Sequence, residues 1–330
     1  MRVEKFSLGF GPELFKRKKK DTEYSIAAIP LGGFVKMAGD NLTDYKGLPD
    51  EFLSQSRGAR FWIVACGPLL NYLLGFLFFC TVCFLGYPSL TTKVGGLIEG
   101  FGAEKAGVRV GDKITGIDGQ RIIYWEELQK IIYSRKASDK VVLKVLRDDK
   151  EKNIEVLLKE KQVDDELGQK RRRGLLGITP SGEAVVVRHG FFASFIVGAG
   201  RTWDLTRMTF KAIWFLLSGR LSMRESVTGF VGIYYLTGQV ASLGFSALLH
   251  FVAVLSVSLA IFNFLPLPIL DGGHIALLAL EKIRKRSISA KTEQIIARVG
   301  FALIVSLAVF VTYNDILRFF GDRIAKFFGK

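Results

Sequence analysis

From Ser226 to Leu270 the chain carries no Asp, Glu, Lys or Arg, and this run closes in Asn263-Phe264-Leu265-Pro266-Leu267-Pro268-Ile269-Leu270-Asp271-Gly272-Gly273-His274. An uncharged stretch of that length suffices to cross a bilayer, whose hydrocarbon core takes roughly 20 helical residues. The two prolines free backbone carbonyls, which at membrane depth need a cavity or a polar partner. A carboxylate at the end of the same stretch is costly there, so Asp271 is a functional candidate by default.

Two further blocks share this character. Phe61 to Thr92 has no charged residue, and Val299 to Asn314 is apolar between Arg298 and Asp315. We therefore expect three membrane spans, about 61–87, 246–270 and 295–316, the third reaching back past a snorkelling Arg298. A hydrophobic content of 49% with 27 Phe exceeds that of an ordinary soluble domain. The N-terminus begins polar and lacks the apolar core of a secretory signal peptide.

Lys16-Arg17-Lys18-Lys19-Lys20 precedes the first span, and Lys282, Arg284, Lys285, Arg286 and Lys291 lie between the second and third. The positive-inside bias places both loops in the cytoplasm, and segment 88–245 and the C-terminus outside. The net charge of +15 then belongs to loops that face anionic lipid. Nucleic-acid binding would need a basic stripe on a soluble fold or a recognisable binding module, and neither is visible. Cys66, Cys80 and Cys83 all fall in the first span, so the Cys80-x-x-Cys83 pair reads as apolar filler and implies no disulfide framework.

Between the spans the pattern changes. Lys113 to Asp118 alternates as a strand, Trp125 to Ser134 has helical apolar spacing, and Val141 to Arg147 with Asn153 to Leu158 reads as a hairpin around Asp148-Asp149. Residues 103–119, A-E-K-A-G-V-R-V-G-D-K-I-T-G-I-D-G, resemble the bacterial PDZ pattern, and the domain is expected over 90–180. That resemblance implies a peptide held as an added strand, with Gly174, Leu175, Leu176 and Gly177 as the loop that takes its C-terminal carboxylate and Arg171-Arg172-Arg173 drawing the anion in. Beyond it, Arg201, Asp204, Arg207 and Lys211 are spaced 3, 3 and 4 along one helical face, which predicts an interfacial amphipathic helix and loop over 181–245.

The spacing N-x-x-P-x-P-x-L-D-G in residues 263–272 resembles the second signature of the site-2 proteases, the intramembrane zinc metalloproteases. The resemblance extends to Gly67-Pro68-Leu69-Leu70-Asn71 and to Glu23 to Met37, whose P-L-G-G-F-V-K-M is similar to the family's membrane-associated β-hairpin, expected here over 23–38 with a turn at Pro30 to Gly33. It implies a polytopic α-helical membrane protein of the bacterial inner membrane with an inserted α+β PDZ-like domain on the periplasmic side and that β-hairpin. The implied regions are a cytoplasmic segment 1–60, a helix carrying the signature over 246–280, a cytoplasmic basic loop 281–294 and a tail 317–330. Its implied cofactor is Zn²⁺, with Asp271 as a ligand. Asn263, Pro266, Gly32, Gly33 and Phe34 would bind substrate, an exposed edge strand holding the unwound membrane segment extended. Its implied partners are membrane-anchored protein substrates and the lipid bilayer.

One family feature is absent. The first signature, His-Glu-x-x-His, sets two zinc ligands one turn apart with the Glu as general base, yet the only histidines here are His189, His250 and His274, and no pair has that spacing. His274 follows Asp271 by three residues and shares a helical face with it, but a catalytic zinc normally takes three protein ligands. The segment after Met1 resembles what directly follows the family's first membrane helix, so the expectation is a start one helix downstream of the full gene's. The rival reading is a non-catalytic membrane adaptor that captures peptides. A transporter would need repeated halves with paired broken helices, and no internal repeat is visible.

Overall fold

The computed structural model describes residues 1–40, 44–164, 170–286 and 289–327. The chain divides into two compact units, one of residues 1–73 with 256–310 and the other of 74–255 with 311–330.

The first unit begins with β1 (Val3–Lys19) and β2 (Thr22–Met37). The turn between them lies at Lys20-Asp21, with Lys20 at φ 55°. The chain also reverses between Ile26 and Gly33, where a turn was expected, but the two arms do not pair with each other as a hairpin: 23–26 and 33–37 run in opposite directions on either side of 3–8. Both strands bend at glycines: Gly9 and Gly11 have φ 89° and 86°, and Gly32 has φ 85°. Leu8 consequently has Gly33 on one side and Ile26 on the other, Phe6 has Val35 and Tyr24, and Ile26 also meets Phe15. The result is a sheet four segments wide, in the order 33–37, 3–8, 23–26, 15–19, with 33–37 at an edge. A Cβ on Gly33 would stand 2.4 Å from the Ser7 carbonyl oxygen, so the glycine that ends the Pro-Leu-Gly-Gly reversal also allows close strand approach. Glu23 pairs with Lys5 at 3.2 Å and Lys16 at 2.8 Å, while Phe6, Leu8, Phe15, Tyr24 and Ile26 remain exposed.

Helix α1 (Arg57–Leu85) follows. The second unit then holds an α+β insertion of β3 (Tyr87–Leu90), β4 (Val94–Leu97), α2 (Gly102–Lys105), β5 (Lys113–Ile117), β6 (Gln120–Arg121), α3 (Trp125–Ser134), β7 (Lys140–Arg147), β8 (Lys150–Leu157), β9 (Lys159–Asp164), β10 (Lys170–Leu175), β11 (Ile178–Pro180) and β12 (Ala184–Val187). A four-stranded sheet runs β6-β5-β7-β8, and β4 pairs with β11, β3 with β12 and β9 with β10. Asp148 and Asp149, at φ 51° and 57°, make the tight two-residue turn that a right-twisted hairpin favours. Ile114, Ile117, Leu128, Ile132, Val141, Leu143, Val145 and Val156 close its core. At the core's border the buried Asp112 carboxylate receives two Arg147 hydrogen bonds at 2.7 Å and the Arg109 amide at 2.8 Å. Burial alone would raise the Asp112 carboxyl, but the Arg147 guanidinium and the Arg109 amide outweigh it and hold the group below the usual carboxylate range.

Helices α4 (Phe191–Leu217), α5 (Met223–Ser226), α6 (Phe230–Ser242) and α7 (Phe245–Asn263) follow in this unit, the last continuing into the first unit. Phe191 meets Phe84 and Phe195 meets Phe76, so α4 starts alongside the last turns of α1. Then come α8 (Asp271–Arg284) and α9 (Ala290–Phe327). Asp315 of α9 accepts the Gly229 and Gly232 amides at 2.9 and 2.8 Å and so caps α6, a role the sequence reading did not foresee. Among the described residues three helices are long and apolar enough to cross a membrane: Arg57–Leu85, Phe245–Asn263 and, within α9, Gln294–Gly321. The region expected as one helix over 246–280 is two, because Pro266 and Pro268 cannot continue α7; residues 264–270 are irregular.

Candidate functional site

Helix α8 opens at Asp271 with Leu270, in extended conformation, before it. The two glycines after the carboxylate are there for space. A Cβ on Gly272 would lie 2.3 Å from the carbonyl oxygens of both Phe264 and Leu265, and one on Gly273 would lie 2.2 Å from that of Leu267. Ile269 is held at φ 80°, which a β-branched side chain rarely adopts, so the loop carries local strain immediately before the carboxylate. Gly300 of α9 fits against Pro268 in the same way, a Cβ there falling 2.3 Å from the proline's own. Asp271 is thereby fixed, half-buried, facing Gly67 of α1, where an added Cβ would stand 3.5 Å from its Oδ2.

Asp271 opens into a cavity of about 1320 Å³. Gly33, Val35 and Met37, alternate residues of the edge segment of β2, line it together with Gly67 of α1 and Asp271 and His274 of α8. The period of two means that the segment turns one face to the carboxylate. Of the residues expected to bind substrate, only Gly33 lines this cavity. Gly32 and Phe34 do not, and Phe34 stacks on Phe10 with ring centroids 6.1 Å apart. Asn263 ends α7 half-buried and Pro266 is exposed; neither borders the cavity.

The sequence reading also missed Arg60 and Glu281, which line the cavity 3.8 Å apart, with the Arg60 guanidinium over the Phe52 ring. Buried Glu51 accepts the Lys46 and Leu48 amides at 2.9 and 3.1 Å and fixes the preceding loop. A charge at the foot of an apolar helix was the only signal for the first pair.

Metal binding fails a simple test on the residues present. Among the described residues no group of three or more His, Cys, Asp and Glu side chains could hold a metal ion. Asp271 and His274 by themselves fall short of the three protein ligands that a catalytic zinc takes.

The loop expected to take a carboxylate divides between elements: Gly174 and Leu175 end β10, and Leu176 and Gly177 join it to β11. Gly177 sits at φ 83° with an added Cβ only 2.1 Å from the Phe101 Cβ, so no other residue fits. The Leu176 and Gly177 carbonyls accept the Ala103 and Ile98 amides at 3.0 and 2.8 Å, which fixes the loop's orientation. Lys159 and Lys161 lie over the Phe101 ring, and Arg173 over that of Tyr133 in α3.

A profile described as peptidase family M50 matches residues 1–307. A protein of Campylobacter jejuni named as a zinc metalloprotease is 32% identical, the alignment covering 98% of this chain and 87% of that one. A similarly named protein of Rhizobium meliloti is 33% identical over 97% of this chain and 90% of its own. The zinc metalloprotease RasP of Oceanobacillus iheyensis is 29% identical over 97% of this chain and 93% of its own. Among solved structures, the PDZ domain of an SdrC-like protein from Listeria innocua is 28% identical and covers 27% of this chain and 92% of that one; its TM-score of 0.22 is too low to assign a fold.

Proposed function

This chain belongs to peptidase family M50, the site-2 proteases, and from that premise we propose that it is an intramembrane zinc endopeptidase whose substrates are membrane-anchored proteins. The observation that carries this reading is the shared cavity: the edge segment 33–37 and the Asp271 carboxylate line one space. An edge strand offers unpaired backbone groups to a second strand. A membrane helix resists cleavage while its amides are bonded internally, so a segment unwound and added to 33–37 would present its backbone beside Asp271.

In this reading Asp271 is one member of a zinc ligand set. The other members and the general base are not among the described residues, so no hydrolytic step is assigned to the residues present. Asn263 and Pro266 act by ending α7 and setting the loop that carries Asp271, while Gly32 and Phe34 shape the sheet. The test is cross-linking. In a cysteine-free background, Val35→Cys and Leu277→Cys, the latter at another residue lining the cavity, should each capture the same short stretch of a model membrane substrate; capture of different stretches, or none at Val35, would reject the shared-cavity reading.

The short basic loops put the Asp271 end on the cytoplasmic side of an inner membrane and the α+β insertion outside, where residues 174–177 would receive peptide carboxylates. Reporters fused within 140–164 and at 286 distinguish this sidedness from its inverse. The adaptor reading is favoured by one observation, the lack of a three-donor cluster among the described residues.

A further inference from the structure

Two arginines, Arg188 and Arg201, flank the point where α1 ends. The side chain of Arg188 lies against Gly86, where an added Cβ would stand 3.2 Å from its Nε. The Arg201 guanidinium covers the ring of the next residue, Tyr87, at 4.0 Å from its centroid. The Tyr87 hydroxyl is 3.5 Å from His189 Nε2, so a hydroxyl and an imidazole belong to the same cluster.

This cluster has a definite level. Gly86 follows the last residue of one span-length helix, and its carbonyl accepts the Ser246 hydroxyl at 2.5 Å from the first turn of another. Two helices of membrane-crossing length therefore terminate here, which is the depth of lipid headgroups. Arg201 starts from α4 and reaches back to Tyr87, as a snorkelling side chain does. Next to the cations, Phe84 and Phe191 stand edge to face with centroids 6.4 Å apart, and Phe192, 81% exposed, continues the apolar wall. Cations with hydroxyl and imidazole donors above an exposed aromatic wall match an amphiphile with an anionic head. A guanidinium suits phosphate oxygens in particular.

The geometry points to a phospholipid site in which Arg188, Arg201, His189 and Tyr87 hold the phosphate and the Phe84–Phe191–Phe192 wall meets the acyl chains. A net anionic phospholipid is preferred, since a zwitterionic head brings its own ammonium to the same cations.

Native mass spectrometry of the full chain in zwitterionic detergent tests this with three probes: phosphatidylglycerol, diacylglycerol and inorganic phosphate. Phosphatidylglycerol should bind, and the other two, each lacking one half of the amphiphile, should not. Arg188→Gln, an exposed and structurally mild change, should weaken binding about fivefold, and Arg188→Gln with Arg201→Gln should weaken it further. Lys285→Gln with Arg286→Gln, in the loop after α8, should leave it unchanged. Equal binding of diacylglycerol or inorganic phosphate overturns the proposal, as does phosphatidylglycerol binding that is unaffected by Arg188→Gln or falls equally in the Lys285 and Arg286 variant.

Discussion

The α+β insertion encloses Ile114, Leu143 and Val145 completely, whereas α1 and α9 leave Leu70 and Phe301 62% and 63% exposed. The side chains are equally apolar; the difference is the solvent each region is built for. Water drives the insertion to close a core, while helices that face hydrocarbon gain nothing by hiding Leu from lipid and associate through small residues and polar contacts. The region around Asp271 follows the second rule. Gly67, Gly272, Gly273 and Gly300 allow backbones to approach, and their precision goes to placing one carboxylate rather than to filling a core.

The comparison can be broken first at the carboxylate. In a chain supplied with a His-Glu-x-x-His helix, Asp271→Ala should lower cleavage of a model membrane substrate by more than about 100-fold, since losing even a residue that only hydrogen-bonds to a metal ligand costs about 10- to 100-fold. Leu143→Ala should then cost about 2–5 kcal/mol in the unfolding of the insertion, while Phe301→Ala should change stability in lipid by less than about 0.5 kcal/mol. A large loss at Phe301 would mean that α9 faces protein there. Gly272→Ala should be costlier than a surface change, about 1–3 kcal/mol, because its Cβ meets two carbonyl oxygens.

A smaller effect concerns pH. Because the folded Asp112 carboxyl titrates below its unfolded value, its contribution to stability is fully present above the unfolded pKa and is lost as pH falls through the lower, folded one. Urea midpoints of the insertion should decline across that acid range, and Asp112→Asn should flatten the decline. The smallest expected effect is on peptide capture: C-terminal amidation should weaken an already weak peptide if residues 174–177 bind its carboxylate, and equal binding would remove that role.

Much of this was legible in residue order. The span-length helices follow from uncharged runs, and the 140–157 hairpin from alternation around Asp148-Asp149. The break before Asp271 could be anticipated from Pro266 and Pro268, although the residues were expected within one helix. Long-range pairing was not legible. The reversal at Pro30-Leu31-Gly32-Gly33 could be read from residue order, but not that segment 3–8 lies between its two arms with Ser7 against Gly33. The same holds for Arg60 with Glu281 and for Asp315 capping α6, which join residues far apart in sequence. Candidate residues carried over by motif thus divided by geometry: Asp271 and Gly33 meet in one cavity, while Asn263, Pro266, Gly32 and Phe34 do not border it.

The central claim is that Asp271 belongs to a metal site in the cavity that the edge segment 33–37 lines. The most direct measurement is zinc content by elemental analysis of the chain carrying a His-Glu-x-x-His helix, with and without Asp271→Asn. One zinc per chain, largely lost on substitution with the fold intact by circular dichroism, is the predicted result. Full zinc occupancy in Asp271→Asn would contradict it.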